Sequence, residues 1–103
     1  MNIKKFFETI PKTVNKDIMN SIKNMIDSYV IRYNDYQIGS YAYELEDKFY
    51  TYLFVTNKTE CRSNLLEKYF DKKTDCLKYH KELSKLCDEG NLDKIRNLIV
   101  NGR

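Results

Sequence analysis

Apolar residues recur along this chain in two different rhythms. Val14, Ile18, Ile22, Met25, Ile26 and Tyr29 are spaced by four, four, three, one and three. That spacing draws one stripe on a helix of 3.6 residues per turn. Lys16, Asp17, Asn20, Lys23, Asn24 and Asp27 lie mostly off the stripe, and Thr13 is placed to cap it. The pattern predicts a helix over 13–30. One or two helical turns over 2–9 precede it, interrupted by Pro11.

From about Tyr36 the rhythm changes. Aromatic and β-branched residues dominate 36–56, as strands prefer. Tyr41, Tyr43 and Leu45 alternate with Ala42 and Glu44, and a second apolar run starts at Phe49 after the polar Glu46-Asp47-Lys48. This predicts a β-hairpin. Its second strand, 49–56, is apolar on both sides and suits a central position. Residues 57–60 read as a turn, and 64–70 as a third strand rather than a short helix. A helix then opens at Asp71 or Thr74, with a stripe of Cys76 or Leu77, His80, Leu83, and Leu86 or Cys87. Gly90 ends it in a left-handed C-terminal position. Leu92, Ile95, Leu98 and Ile99 mark a last helix that stops at Asn101-Gly102. The order ααβββαα predicts a single α+β domain over 1–103. It has an N-terminal helix, an antiparallel sheet of two to three strands, and C-terminal helices packed on that sheet.

Composition narrows the function classes. The chain has 103 residues, 42% of them hydrophobic, with nine Tyr and five Phe. It can bury a core, and wholesale disorder is not expected. No apolar run approaches the length of a membrane span, and no export signal is visible, so no membrane role is expected. Three cysteines, Cys61, Cys76 and Cys87, cannot close a disulfide framework within one chain. Reduced thiols in a cytoplasm follow. The net charge of +3 is spread along the chain with both signs interspersed, and only four of the eighteen basic residues are Arg. A nucleic-acid binder concentrates its basic charge on one face, so that class is an alternative rather than the first reading. Abundant Lys, Asn, Ile and Tyr, with three Gly and one Pro, point to an AT-rich genome of the kind phages, large DNA viruses and several bacteria carry.

Catalytic and cofactor chemistry finds little support. The chain lacks a phosphate-binding glycine loop, a dinucleotide fingerprint and a His-Glu-x-x-His motif, and it holds one His. Cys76, His80 and Cys87 share a helix face, Cys61 could supply a fourth ligand, and Cys76 with His80 could bind an ion if Cys61 came near. But i+4 and i+11 lie about 10 Å apart along one helix, too far to share an ion. Cys76 and Cys87 read as small buried hydrophobes and His80 as a boundary residue. No metal, no cofactor and no catalytic residues are assigned.

The informative feature is a tyrosine cluster: Tyr29, Tyr33, Tyr36, Tyr41, Tyr43, Tyr50 and Tyr52 fall within 24 positions. Strand alternation places Tyr41 with Tyr43 and Tyr50 with Tyr52, so part of the cluster is expected on an exposed face. Such rings can stack bases or make a protein contact. Glu44, Glu46 and Asp47 accompany them with no comb of basic residues nearby, which favours a protein with a basic surface. The expected partner-contact residues are Tyr41, Tyr43, Glu44, Glu46, Asp47, Tyr50 and Tyr52. Their expected partner is an enzyme, and self-association as a homodimer is open.

Two stretches resemble known families. Residues 83–102, from Leu83 through Gly90-Asn91-Leu92 and the Leu98-Ile99 pair to Asn101-Gly102, resemble the helix pair of an ankyrin repeat. Leu86 and Cys87 stand where that family has two small residues, and its Thr-Pro-Leu-His opening is absent. The resemblance implies the N-terminal domain of a longer ankyrin-repeat interaction protein, or a helix hairpin meeting the same packing demands. Strand, turn and strand from Tyr50, then Tyr69-Phe70-Asp71 leading into a helix that reaches Leu83, is similar to small immunity proteins of bacterial toxin systems. That similarity implies a non-catalytic inhibitor of one enzyme, of the toxin-immunity or phage counter-defence kind. This is the first expectation for function.

Overall fold

The computed structural model describes residues 2–10, 24–57 and 63–101, with 57 and 63–65 described by their backbone alone. Helix α1 spans Ile3–Thr9. The strands are β1 (Met25–Tyr33), β2 (Tyr36–Leu45), β3 (Lys48–Asn57) and β4 (Ser63–Phe70). Helices α2 (Lys73–Glu89) and α3 (Leu92–Asn101) follow. The strands form one antiparallel sheet in the order β1-β2-β3-β4. The class is α+β, with the helices packed on one face of the sheet. No helix among the described residues is long and apolar enough to cross a membrane.

The sheet has four strands, not two or three, and the extra strand comes from the helix expected over 13–30. Residues 25–30 of that span are strand; 13–23 lie outside the described residues. The apolar spacing at Met25, Ile26 and Tyr29 fits a helical stripe, but Tyr29-Val30-Ile31 is also strongly strand-forming. Pairing with β2 from Ile31↔Ile38 through Ser28↔Tyr41 decides the outcome. Tertiary hydrogen bonding overrides a local periodicity that was compatible with both forms. The register slips once, between Met25 and Asp27, as a bulge does at a sheet edge.

The expected turn at 57–60 and the stop at Gly102 lie outside the described residues; the remaining elements match the sequence reading. Asn2 caps α1, its side chain accepting from the Lys5 amide at 2.8 Å. Ile10, which precedes Pro11, is extended, as the pyrrolidine ring requires of its neighbour. The hairpin from Tyr36 turns at Glu46-Asp47, β4 is a strand, and β3 runs between β2 and β4 with residues 51–55 all buried. Gly90 adopts φ 68° and its amide closes α2 on the Cys87 carbonyl at 3.1 Å. A Cβ there would also collide with the Tyr33 hydroxyl.

Register assigns the two faces. Ile38, Ser40 and Ala42 of β2, Thr51, Leu53 and Val55 of β3, and Leu66 of β4 face the helices. Ile38, Leu53, Val55 and Leu66 join α1 through Ile3, Phe6 and Phe7, α2 through Leu83 and Leu86, and α3 through Leu92, Ile95 and Ile99 in one core. At about 25 cal/mol per Å² of apolar surface removed from water, this core is the dominant stabilising term. The opposite face carries Tyr41, Tyr43, Tyr50, Tyr52 and Phe54, a second cluster in which Tyr43, Tyr52 and Phe54 are buried. Gly39 opposes Phe54 in register, and a Cβ at Gly39 would strike the backbone of β1. The ring covers the glycine, and the glycine lets β1 and β2 approach.

Candidate functional site

Two arrangements of polar side chains stand out, one sealed and one open. The sealed one centres on His80, which is 1% exposed, so the boundary position expected for it is corrected to a buried one. The helical stripe that carries Cys76, Leu83 and Cys87 turns His80 onto the sheet. There its Nδ1 lies 2.9 Å from Ser40 Oγ and its Nε2 lies 3.1 Å from Asp27 Oδ2. A carboxylate only accepts, so Nε2 carries the proton; Nδ1 then accepts from the Ser40 hydroxyl. Burial pushes the imidazole below its ordinary pKa, against the opposing pull of Asp27, and the ring is neutral at pH 7.

The connectivity of serine, imidazole and carboxylate is that of a hydrolytic nucleophile and its base. Accessibility separates the two cases. Ser40 is 0% exposed, lying between sheet and helix layers, so no substrate carbonyl can reach its oxygen. The line instead pins β1, β2 and α2 together and satisfies two buried polar groups, Ser40 and His80, from an Asp27 side chain that is itself 61% exposed. Cys76 and Cys87 are equally enclosed, while Cys61 lies outside the described residues. Cys76 Sγ lies 3.1 Å from Thr51 Oγ1, and burial raises its pKa while that hydrogen bond lowers it. Burial pushes the Cys87 thiol up to about 12. Both are protonated and unreactive at neutral pH. Among the described residues no group of His, Cys and acidic side chains is arranged to hold a metal ion.

The open arrangement lies at the β2–β3 turn. Glu46 and Asp47 form a two-residue loop with φ 52° and 65°. That left-handed pair matches the twist of a hairpin, but Asn-Gly reaches it with far less strain. Glu44, Glu46 and Asp47 are exposed, and among the described residues none has an ion pair. A shallow hollow opens between them and Asn24, Met25 and Ile26 at the start of β1.

Cross-strand register then aligns three rings beside this turn: Tyr43↔Tyr50 and Tyr50↔Tyr69. Tyr43 and Tyr50 stack with centroids 5.1 Å apart at 12°, and Tyr69 follows at 6.4 Å and 46°. The Tyr43 hydroxyl donates to Glu67 Oε2 at 3.0 Å, and burial with that carboxylate drives its pKa far above the ordinary phenol range. Lys48 bonds Asp71 at 2.9 Å and lies over the Tyr69 ring at 5.2 Å.

The seven residues singled out from sequence therefore divide. Glu44, Glu46 and Asp47 are exposed, Tyr41 and Tyr50 half-buried, and Tyr43 and Tyr52 buried. The last two are corrected from contact residues to interior ones. Tyr52 is held edge-on by Tyr41 at 5.6 Å and by Tyr43 at 5.9 Å. The register does place all four tyrosines on one face, as alternation predicts. Tyr69, 63% exposed, and its neighbours Lys48, Glu67 and Asp71 were missed. Alternation along β4 places Glu67 and Tyr69 on a common face and was the available signal. Comparison with protein-family models, with curated proteins and with solved structures finds no match for the chain.

Proposed function

We propose that this is a non-catalytic protein-binding protein whose contact surface is the β2–β3 turn end of the sheet, and that it inhibits an enzyme by covering a basic surface. The observation that carries the reading is the turn itself. Two carboxylates are kept on left-handed backbone, at a cost of roughly 1 kcal/mol or more per residue, where they add no ion pair among the described residues. Their use is outward. The sealing of Ser40 and both described cysteines supports the absence of a nucleophile. Burial of Tyr43 and Tyr52 weakens the base-stacking alternative, and so does the acidity of the turn.

The chain tagged in its own host tests this beside a Glu44→Lys/Glu46→Lys/Asp47→Lys variant. One stoichiometric enzyme captured by the first and lost from the second, at unchanged thermal stability, is the expected result. A companion held equally by both, or nucleic acid released steeply by salt, overturns it. The second reading, an N-terminal domain of a longer ankyrin-repeat protein, draws on the α2–α3 pair turned at Gly90. It predicts a reading frame that continues beyond Arg103.

A further inference from the structure

Resting on the protein-binding reading above, we infer that the Tyr50–Tyr69 end of the ring row is a site for an arginine side chain of the partner. Lys48 stands in for it in the free protein. Tyr69 is the outermost of the three rings and the most exposed large hydrophobic among the described residues. Its ring and the Asp71 carboxylate already hold a cation: the Lys48 ammonium lies 5.2 Å from the centroid and 2.9 Å from Oδ1. The pair is weakly committed. Its side chains are 48% and 80% exposed, and an exposed ion pair of this kind contributes little to stability. A ring with a carboxylate beside it favours a guanidinium over an ammonium. The planar group stacks on the tyrosine face, presents paired donors to the carboxylate and is less strongly hydrated. The surroundings select the same sign of charge. At the turn Glu44, Glu46 and Asp47 outnumber Lys48, and although Lys72 and Lys73 follow Asp71, the acidic turn beside the rings favours a basic side chain over a phosphate group.

The experiment titrates N-acetyl-arginine amide into the full chain and follows the ring-proton resonances of Tyr50 and Tyr69. Lysine and citrulline amides serve as controls. Saturable shifts at both rings with arginine, weaker with lysine and absent with citrulline, are expected. Tyr69→Leu should abolish them. Lys48→Met removes the internal competitor and should tighten arginine binding about threefold, the size of a modest exposed cation–ring contact. A purely structural Lys48 would give unchanged or weaker binding, so that result overturns the inference, as does equal response to all three amides. No response in either the wild type or Lys48→Met overturns it too. In that case a partner still captured by the wild type and lost from the turn variant would leave the protein-binding reading intact.

Discussion

Replacing Glu46-Asp47 by Asn-Gly should make the protein more stable and less able to bind. Both residues have φ above 50°, where an L-residue with a Cβ is strained by roughly 1–2 kcal/mol, least for Asp and Asn. Asn-Gly relieves most of that strain. Glycine returns part of the gain, about 0.5–1 kcal/mol, through the greater freedom of the unfolded chain. Relief of repulsion among Glu44, Glu46 and Asp47 adds a few tenths. The net expectation is a gain of about 1 kcal/mol, which for a domain of this size raises the thermal midpoint by about 4–8 °C. Urea and thermal denaturation measure it. Glu44→Gln is the control: it removes a neighbouring charge from ordinary strand backbone and should shift stability by no more than about 0.5 kcal/mol. An Asn-Gly variant no more stable than wild type would refute the argument from strain. A stabilised variant that binds its partner undiminished would refute the assignment of function to the turn.

Other outcomes follow from the buried polar line and the helix cap. His80 has a folded pKa below its unfolded value near 6.5, so the unfolded chain takes up the proton first. Its contribution is complete above that value and declines as pH falls toward the folded pKa; urea midpoints at pH 7.5 and 5.5 should show the loss. Asp27→Asn removes a carboxylate that favours the imidazolium and should steepen it. Gly90→Ala should cost about 2 kcal/mol or more, from positive φ and the Tyr33 hydroxyl together. In a Tyr33→Phe background, which also loses the hydrogen bond to the Cys87 carbonyl, the cost should fall toward about 1 kcal/mol. Denaturation of the four proteins of that cycle checks it.

What the sequence made legible was local. The Glu46-Asp47 break and Gly90 act on the backbone within a few residues and sit where the pattern put them, and α1 stops at Thr9, ahead of Pro11 as expected. β1 was misread because its identity is set at a distance. Met25 to Tyr33 carries a helix-compatible spacing, and only the β2 edge, with Gly39 allowing close approach, makes it a strand. The site divides the same way. The acidic turn is visible in five residues, whereas the burial of Tyr43 and Tyr52 depends on cross-strand neighbours. Ser40, His80 and Asp27 are far apart in sequence, and a lone His on an apolar stripe gives no hint that a serine and a carboxylate close on it.

An acidic turn on a protein of net positive charge poses a problem of self-recognition. The chain carries eighteen basic residues, and its own acidic end would attract the basic side chains of neighbouring copies if charge alone decided. Selectivity between two cations supplies a way out. Fourteen of those residues are Lys and four are Arg, and of the described arginines Arg96 donates to Thr9 Oγ1 at 2.9 Å. A ring-and-carboxylate site that prefers guanidinium therefore meets mostly the poorer ligand on its own kind. Lys48, already seated, raises the threshold further, because any incoming ammonium gains no more than the one it displaces. Discrimination rests on the difference between two affinities, and only a partner presenting arginine gains enough at this end of the sheet to displace Lys48.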